Sequence, residues 1–477
     1  MRHERPTRVA PRSGGEAVYD VVIVGTGPAG IFTALELSRL APGLRVLMLE
    51  KGPDLEQRAC PMQQRRTTCA RCQPCSVLSG WGGAGAFSDG KLTLTADFGG
   101  NLEKHIGREL TTQLVEYVDE VYLKFGASAA SYGTEPEVVR RITRQAATAG
   151  ISFVPAKIRH LGTDKCPQIL LQMRQFLEGQ VEVRLRTTAA RVLAREGRVT
   201  GVVTQQGEEI PARAVVLAPG REGSEWMAAQ AHELGLRLAT NPVDIGVRVE
   251  VPAVVMEPIT EGVYESKLIY YTGSFDDQVR TFCVCPYGEV VMENNRGLIT
   301  VNGHSYHSHR TEYTNFALLV SKTFTEPFQE PILYGRYVAS LANLLGGTVL
   351  VQRLGDLLSG RRSTEKRMAK GMVQPTLREA VPGDLSLVLP YRHLIDILEM
   401  LEALDKMAPG VHSRHTLLYG VEVKFYSSRV EVDSDLQTRV KGLYVAGDGA
   451  GITRGLAQAS ASGVHVARSL VRNGWER

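Results

Sequence analysis

A glycine-rich segment near the N-terminus has the spacing of a phosphate-binding turn. Gly25, Gly27 and Gly30 fit the pattern G-x-G-x-x-G, between the apolar run 21–24 and the segment 28–40, whose apolar residues have helical spacing. The first glycine permits a tight turn, the second lets the backbone approach a pyrophosphate, and the third allows the helix to pack on the strand. The helix N-terminus adds free N–H groups and the positive end of a dipole. The sequence therefore predicts a dinucleotide-binding βαβ unit.

Two further features extend this site. Glu50 ends the next predicted strand, 45–49, at the separation expected of an acid that binds a ribose hydroxyl. Near the C-terminus, a strand-like run leads to Gly447 and Asp448, and a second helix is predicted to begin near Leu456. A carboxylate and a second helix N-terminus would then converge on a ligand longer than the near half of NAD.

A second glycine-rich segment, 79–92, reads SGWGGAGAFSDGKL. Its glycines give the backbone room to pass close to a flat ligand, and successive N–H groups can form a nest for anionic oxygens. A glycine-rich surface loop without a ligand is the alternative interpretation. No second G-x-G-x-x-G follows a strand elsewhere, so a separate NAD(P)H domain is not predicted.

These motifs resemble those of known protein families. G-x-G-P-A-G with a distant Gly-Asp pair is similar to the glutathione-reductase-like and succinate-dehydrogenase-like FAD superfamily. The segment 79–92, with GVRVE (246–250), FCVCPYGEVV (282–291) and GDLLSGRRS (355–363), more closely resembles a bacterial family of FAD-dependent dehydrogenases. The resemblance implies non-covalent FAD, with the ribityl chain at Asp448 and the following helix facing the N1/O2 edge of the isoalloxazine. It implies no particular substrate.

The predicted cofactor contacts fall in four groups: the fingerprint, the end of the second strand, the second glycine-rich segment, and the strand ends that face them. They are Gly25, Gly27, Pro28, Ala29, Gly30, Glu50, Lys51, Gly82, Gly83, Ala84, Gly85, Ser88, Gly220, Gly447, Asp448, Gly455 and Leu456.

Asp89 and Lys91 are the candidate catalytic groups, because they are the ionisable residues of the second glycine-rich segment. A structural role is the alternative for both: Lys91 could bind a flavin oxygen or phosphate, and Asp89 could cap a turn. Arg248, Glu422 and Lys424, in strand-like segments, are weaker candidates.

Four cysteines precede the second glycine-rich segment. Cys69, Cys72 and Cys75 have C-x2-C-x2-C spacing, and Cys60 lies nine positions earlier. The run resembles iron-sulfur ligation, with Cys60 as the fourth ligand, but a four-cysteine zinc site, a redox-active pair and plain thiols fit the spacing as well. Cys283 and Cys285 lie in a predicted strand and face one side of it, and we expect buried, inert thiols there.

The predicted fold class is α/β: a Rossmann-type FAD-binding domain with an inserted α+β substrate domain. We predict a flexible tail at 1–18, the first part of the FAD-binding domain with an antiparallel meander at 19–224, the substrate domain at 225–420, and the C-terminal part of the FAD-binding domain at 421–477.

Composition and charge bear on whether the protein binds nucleic acid or enters a membrane. The 477 residues are 43% hydrophobic and carry a net charge of +4 with dispersed Lys and Arg, which does not favour nucleic-acid binding. The longest apolar runs are strand-length, and the N-terminus lacks the apolar core of a signal peptide, so we expect no membrane insertion and a cytoplasmic location.

Taken together, these features predict an FAD-dependent dehydrogenase or reductase that transfers two electrons between flavin N5 and a small organic substrate. Its electron donor or acceptor is left open. A flavin-dependent RNA-modifying enzyme and a non-catalytic flavoprotein redox sensor are the alternatives.

Overall fold

The computed structural model describes residues 18–61, 72–88, 90–162, 164–239, 241–295, 297–306, 309–324, 330–425 and 427–474. Within these ranges, no helix combines the length and the apolar composition that a membrane span requires.

The strands of the described residues are numbered in chain order. They are β1 Tyr19–Val24, β2 Val46–Leu49, β3 Lys91–Thr93, β4 Ser152–Val154, β5 Ile158–His160, β6 Glu182–Arg184, β7 Ala189–Arg195, β8 Arg198–Thr204, β9 Glu209–Leu217, β10 Leu238–Ala239, β11 Val243–Pro252, β12 Lys267–Tyr271, β13 Gln278–Cys285, β14 Glu289–Asn295, β15 Leu298–His304, β16 Tyr313–Lys322, β17 Leu350–Arg353, β18 Val381–Pro382, β19 Leu417–Lys424, β20 Arg429–Val430 and β21 Leu443–Val445.

The α-helices are numbered in the same way. They are α1 Pro28–Leu40, α2 Glu103–Ile106, α3 Arg108–Lys124, α4 Pro136–Thr148, α5 Cys166–Leu177, α6 Ser224–Glu233, α7 Ala253–Val263, α8 Pro331–Gly346, α9 Leu354–Leu358, α10 Glu365–Met368, α11 Tyr391–Asp405 and α12 Leu456–Arg472.

The first sheet has the strand order of a dinucleotide-binding fold. Its parallel part runs β6-β2-β1-β9-β21, which is the order 3-2-1-4-5 of a Rossmann sheet. The continuous apolar runs of β1 and β2 suit this position, because parallel strands are buried on both faces. Beyond β9, the strands β8 and β7 add an antiparallel meander. The predicted Rossmann-type α/β fold is confirmed.

The helices α1 and α12, far apart in sequence, pack closely against each other. A Cβ on Gly463 in α12 would lie 2.1 Å from the Ala29 carbonyl oxygen in α1, so only glycine allows this approach. The Thr33 hydroxyl donates a hydrogen bond to the Gly463 carbonyl at 3.2 Å. The two helices therefore start from neighbouring positions at the same end of the sheet.

The second sheet is mainly antiparallel, in the order β18-β17-β19-β11-β16-β13-β12-β4. It has its own apolar core, to which α11 contributes Ile397, Met400 and Leu401. Residues 136–154, within the stretch that the sequence assigned to the FAD-binding domain, supply α4 and β4 to this second unit. The domain boundaries at 224/225 and 420/421 stay predictions.

Two local predictions from the sequence are wrong. The pattern over 101–125 predicts one helix, but the structure divides it into α2 and α3 at Gly107, whose φ of +83° interrupts the helical backbone. The short strands and turn signals from residue 181 onward predict an antiparallel meander, but the first of these strands, β6, pairs in parallel with β2 at the edge of the first sheet. Periodicity alone does not distinguish parallel from antiparallel pairing for a strand of three residues.

A buried carboxyl group lies on β11. Glu250 is fully buried and accepts hydrogen bonds from the Tyr419 hydroxyl, the Thr376 hydroxyl and, at 3.3 Å, the Thr376 backbone N–H. Burial is the main cause that raises the pKa of Glu250 to about 7, and these donors oppose the rise. The protonated form is therefore favoured in the folded state.

We expect Glu250→Gln to change the pH dependence of stability. Because the folded pKa exceeds that of the unfolded chain, this carboxyl group contributes stability that is present at acidic pH and lost as pH rises through about 7. The loss amounts to roughly 3 kcal/mol for a shift of this size. Urea unfolding at pH 5 and pH 8 should show a smaller difference for the variant than for the native protein. The exposed Glu312→Gln is the matched control; equal pH dependence in all three proteins would contradict the expectation.

Candidate functional site

A cavity of about 1740 Å³ extends along the carboxyl ends of the first sheet and continues to the second. This exceeds the roughly 300–1,000 Å³ of ordinary small-ligand pockets. Its wall includes the fingerprint turn, the second glycine-rich segment, the start of α12 and side chains of β12 and β13. An extended ligand could therefore contact both units at once.

The three fingerprint glycines have different surroundings. Gly25 has a φ of +105°, and a Cβ there would lie 2.2 Å from the Ala218 carbonyl oxygen. A Cβ on Gly30 would lie 2.0 Å from the Gly25 carbonyl oxygen, whereas one on Gly27 would meet no atom within 4 Å. Gly25 and Gly30 are thus required by the packing of the chain, and Gly27 faces open space in the cavity.

Two helix N-termini face this cavity, and no side chain caps either of them. Gly27 precedes α1 and Gly455 precedes α12, and neither helix has a side-chain cap hydrogen bond at its first turn. Between them lies the turn 83–87: a Cβ on Gly85 would be 3.0 Å from Leu456 and 3.5 Å from Pro28. Uncapped N–H groups at two converging helix starts form a site for an anionic ligand.

Arg58 holds the start of the second glycine-rich segment. Its buried guanidinium donates hydrogen bonds to the backbone carbonyls of Ser76, Val77 and Trp81 at 2.8, 2.7 and 2.6 Å. Burial lowers the pKa of Arg58 to about 10, so the group remains charged at neutral pH. Arg58 therefore holds the backbone of residues 76–81, which lead to Gly82.

Glu50 makes four hydrogen bonds within the protein. One carboxylate oxygen accepts from the Thr26 N–H at 3.1 Å and the Thr26 hydroxyl at 2.9 Å, and the other accepts from the N–H groups of Gly52 and Gly80, both at 2.9 Å. A carboxylate has about four acceptor sites, so all are used. Glu50 joins the fingerprint to the second glycine-rich segment, and a ribose hydroxyl would have to replace one of these donors.

Asp448 lies at the opposite end of the fingerprint. It accepts a hydrogen bond from the Thr453 hydroxyl at 2.7 Å, and its second oxygen lies 3.5 Å from Arg221 Nε. Both Asp448 and Arg221 line the cavity. Arg221 was not predicted, although its position directly after Gly220, beyond the buried parallel strand β9, was the available signal.

Most of the predicted cofactor residues are brought together by the fold. Gly30 and Gly82 do not line the cavity: Gly30 packs on Gly25, and a Cβ on Gly82 would lie 2.5 Å from Leu170. The cavity is lined by Gly25, Gly27, Pro28, Ala29, Glu50, Lys51, Gly83, Ala84, Gly85, Ser88, Gly220, Gly447, Asp448, Gly455 and Leu456. Their individual roles toward FAD stay predictions.

The structure describes only one of the two candidate catalytic residues. Asp89 lies outside the described residues. Lys91 lines the cavity but is nearly buried, and its Nζ donates to the Val284 carbonyl at 2.5 Å and lies 3.7 Å from Glu265 Oε2. These contacts direct Lys91 toward β13 of the second sheet.

Cys60, Cys72 and Cys75 line one part of the cavity, and Cys69 lies outside the described residues. Among the residues that the structure does describe, no three His, Cys, Asp or Glu side chains are grouped to hold a metal ion. A metal at the four cysteines therefore stays a prediction. Elemental analysis of protein purified without oxygen separates its forms: iron with acid-labile sulfide for a cluster, or zinc for a structural site.

The second sheet adds a cation that the sequence did not reveal. Lys267 on β12 lines the cavity, and its Nζ lies 4.5 Å from the centre of the Phe98 ring. Burial, followed by the nearby Arg280, lowers the pKa of Lys267 to about 8. A lysine that titrates near neutrality in a cavity is typical of a functional group. In the sequence, Lys267 is a single lysine in a strand-like segment, and that pattern does not predict a lowered pKa.

Comparison with known proteins agrees with FAD as the ligand. Residues 242–425, which form most of the second unit, match a family described as "FAD-dependent protein, C-terminal domain-like". An uncharacterized protein of Clostridium beijerinckii is 26% identical over 472 residues, covering 94% of this chain and 80% of its own. The family match supports the predicted cofactor.

Solved structures with low sequence identity align along nearly the whole chain. Formate oxidase of Aspergillus oryzae RIB40 aligns with a TM-score of 0.44 and 14% identity, covering 97% of this chain and 99% of its own. L-proline dehydrogenase of P. horikoshii aligns with a TM-score of 0.40 and 11% identity, covering 96% and 94%.

Gly27→Val should weaken cofactor binding strongly while leaving the protein folded. The branched side chain would fill the open space beside the helix start and keep a pyrophosphate from the backbone N–H groups. Losing two such charge-assisted hydrogen bonds costs about 3 kcal/mol, or roughly 100-fold in Kd. FAD titration of the FAD-free protein by fluorescence measures the effect. The control is Gly43→Val, also in open space but on an exposed turn; unchanged FAD affinity of Gly27→Val would refute the assignment.

Proposed function

We propose that the protein is an FAD-dependent oxidoreductase that transfers two electrons between flavin N5 and a small organic substrate. The observation that carries this proposal is the single cavity shared by the dinucleotide fingerprint and the polar side chains of the second sheet. A cofactor and a substrate could meet there without leaving the protein.

The residues present suit FAD. The open space at Gly27 and the uncapped starts of α1 and α12 suit a pyrophosphate, and Glu50 and Asp448 lie on either side for the adenosine ribose and the ribityl chain. Bound FAD would supply the two-electron acceptor or donor. The protein's part is to hold this ligand and to position a substrate beside it.

The second sheet offers a site for the substrate. Lys267 and Arg280 present cations to the cavity, and Glu265 also lines it. Because the pKa of Lys267 is about 8, a substantial fraction of its amine is neutral at slightly alkaline pH and can accept a proton from a bound molecule. These groups favour a small substrate that carries an acidic group and loses a proton when it is oxidised.

The decisive experiment has two steps. Acid precipitation of the purified protein should release free FAD, and a protein that is colourless and binds no FAD would disprove the proposal. Anaerobic mixing with NADH, NADPH, small organic acids and amino acids should then identify which class reduces the flavin, and mixing of the reduced protein with tRNA should show whether tRNA reoxidises it, as followed by the visible absorbance. Reduction by a small organic compound supports the proposal. Reaction with tRNA alone indicates an RNA-modifying enzyme, and reaction with none of them indicates a redox sensor.

Lys267→Met should slow reduction of the flavin by the active compound by about 100-fold, the usual contribution of a positioned base. In the native protein the rate should rise with pH through about 8, as the amine loses its proton. The variant should lack this rise. Lys406→Met, at an exposed position, is the matched control. An unchanged pH profile in Lys267→Met would exclude Lys267 as the base.

A further inference from the structure

Two thiols lie next to each other on β13. The Sγ atoms of Cys283 and Cys285 are 3.8 Å apart. Cys283 has a left-handed backbone with a φ of +46°, and the pairing of β13 with β16 shifts register between Phe282 and Cys285. A disulfide requires an S–S distance of about 2.05 Å, so the sulfurs need to approach by less than about 2 Å. Rotation of the two side chains can move the sulfurs by this distance.

The two thiols differ in exposure. Cys285 is fully buried, as the sequence predicted, but Cys283 is only half-buried and lines the cavity. The expectation of two buried thiols was therefore wrong for Cys283, because the irregular strand turns its side chain to the cavity. One accessible thiol beside a protected one is the arrangement of an attacking and a resolving cysteine.

Buried cations surround both sulfurs. Lys91 Nζ lies 3.6 Å from the Cys283 sulfur and 3.7 Å from the Cys285 sulfur, and Arg248 Nη2 lies 3.2 Å from the Cys285 sulfur. Carboxylates lie at similar distances from these cations: Glu265 is 3.7 Å from Lys91 and also accepts from the Cys283 N–H at 3.1 Å, and Glu422 is 3.4 Å from Arg248. Adjacent cations stabilise a thiolate, which is the reactive form of cysteine.

The buried thiol, Cys285, keeps its proton to a higher pH than an ordinary cysteine. Burial and the neighbouring Cys283 raise the pKa of Cys285 well above its ordinary value, and Lys91 and Arg248 oppose this rise. Cys283, at the cavity wall, is therefore the thiol that reacts first, and Cys285 follows when an S–S bond forms.

One thiol of the pair lines the cavity that holds the predicted flavin site. Lys91, which contacts both sulfurs, belongs to the second glycine-rich segment and begins β3. Cys283 lines the same cavity as Gly27, Gly85 and Leu456. We propose that Cys283 and Cys285 form a redox-active dithiol that exchanges two electrons with FAD held in this cavity.

The exchange is balanced. Oxidation of the pair breaks two S–H bonds, forms one S–S bond and releases two electrons and two protons, and the same electrons and protons convert FAD to FADH2. The reverse reaction restores both thiols. The exchange rests on the proposed binding of FAD, but formation of the disulfide does not.

The first experiment tests the disulfide alone. The full-length protein, with and without FAD, is equilibrated in mixtures of reduced and oxidised dithiothreitol, quenched with acid, alkylated and mapped by peptide mass spectrometry. We expect a reversible Cys283–Cys285 disulfide in both forms, absent from Cys283→Ser and retained in Cys166→Ser, which replaces a buried cysteine outside the pair. Absence of this disulfide from the native protein in every mixture overturns the proposal, and this measurement needs no variant.

The second experiment sends electrons through the flavin. The oxidised FAD-bound protein is illuminated without oxygen in the presence of EDTA, which photoreduces flavin, and the thiols are then alkylated. We expect at least ten-fold more alkylated Cys283 in the light than in the dark, and bleaching of the flavin that lags in the native protein but not in Cys283→Ser. A disulfide that persists while the flavin bleaches overturns the exchange. A protein that retains no FAD overturns the proposed function and the exchange together, while the first experiment still decides whether the disulfide forms.

Discussion

The close packing of α1 against α12 is the constraint on which the site depends. The absence of a side chain at Gly463 lets α12 approach the Ala29 carbonyl, and this contact brings together chain segments more than 400 residues apart in sequence. Both helices then begin at the carboxyl edge of the parallel sheet, where Gly27 and Gly455 leave their first turns without side-chain caps. A larger residue at 463 would separate the two helix starts, and the positive end of each dipole would no longer point to the same ligand.

The second glycine-rich segment depends on this frame and on two charged side chains. Arg58 binds the Trp81 carbonyl of the segment and the Ser76 and Val77 carbonyls just before it, and Glu50 binds the Gly80 N–H. Both side chains are buried, and their hydrogen bonds come from backbone groups and, for Glu50, also from the Thr26 hydroxyl, which offsets the cost of burying them. The segment is held by its backbone polar groups, and its residues Gly83, Ala84 and Gly85 line the cavity.

Across the cavity, a buried network of charges fixes the second sheet. Arg248 and Glu422 are both fully buried, on the adjacent strands β11 and β19, and Lys424 lies 3.0 Å from Glu422. Removing one member of such a network would leave an unpaired charge in the interior, which is strongly unfavourable. Arg248 also donates to the Cys283 carbonyl at 2.7 Å, so the network that holds the strands in register also orients the thiol pair.

The sequence by itself determined the dinucleotide-binding unit, because its signals are local: a buried strand, glycines at fixed spacing and a helix follow one another between residues 19 and 40. It also indicated that Gly447, Asp448 and Leu456 belong to the same site. Only the tertiary structure decided how Glu50 uses its hydrogen bonds, that Lys267 is desolvated, and that Lys91 and Arg248 lie beside Cys283 and Cys285. Each of these depends on burial and on contacts between strands distant along the chain, and neither quantity is a function of spacing in the sequence.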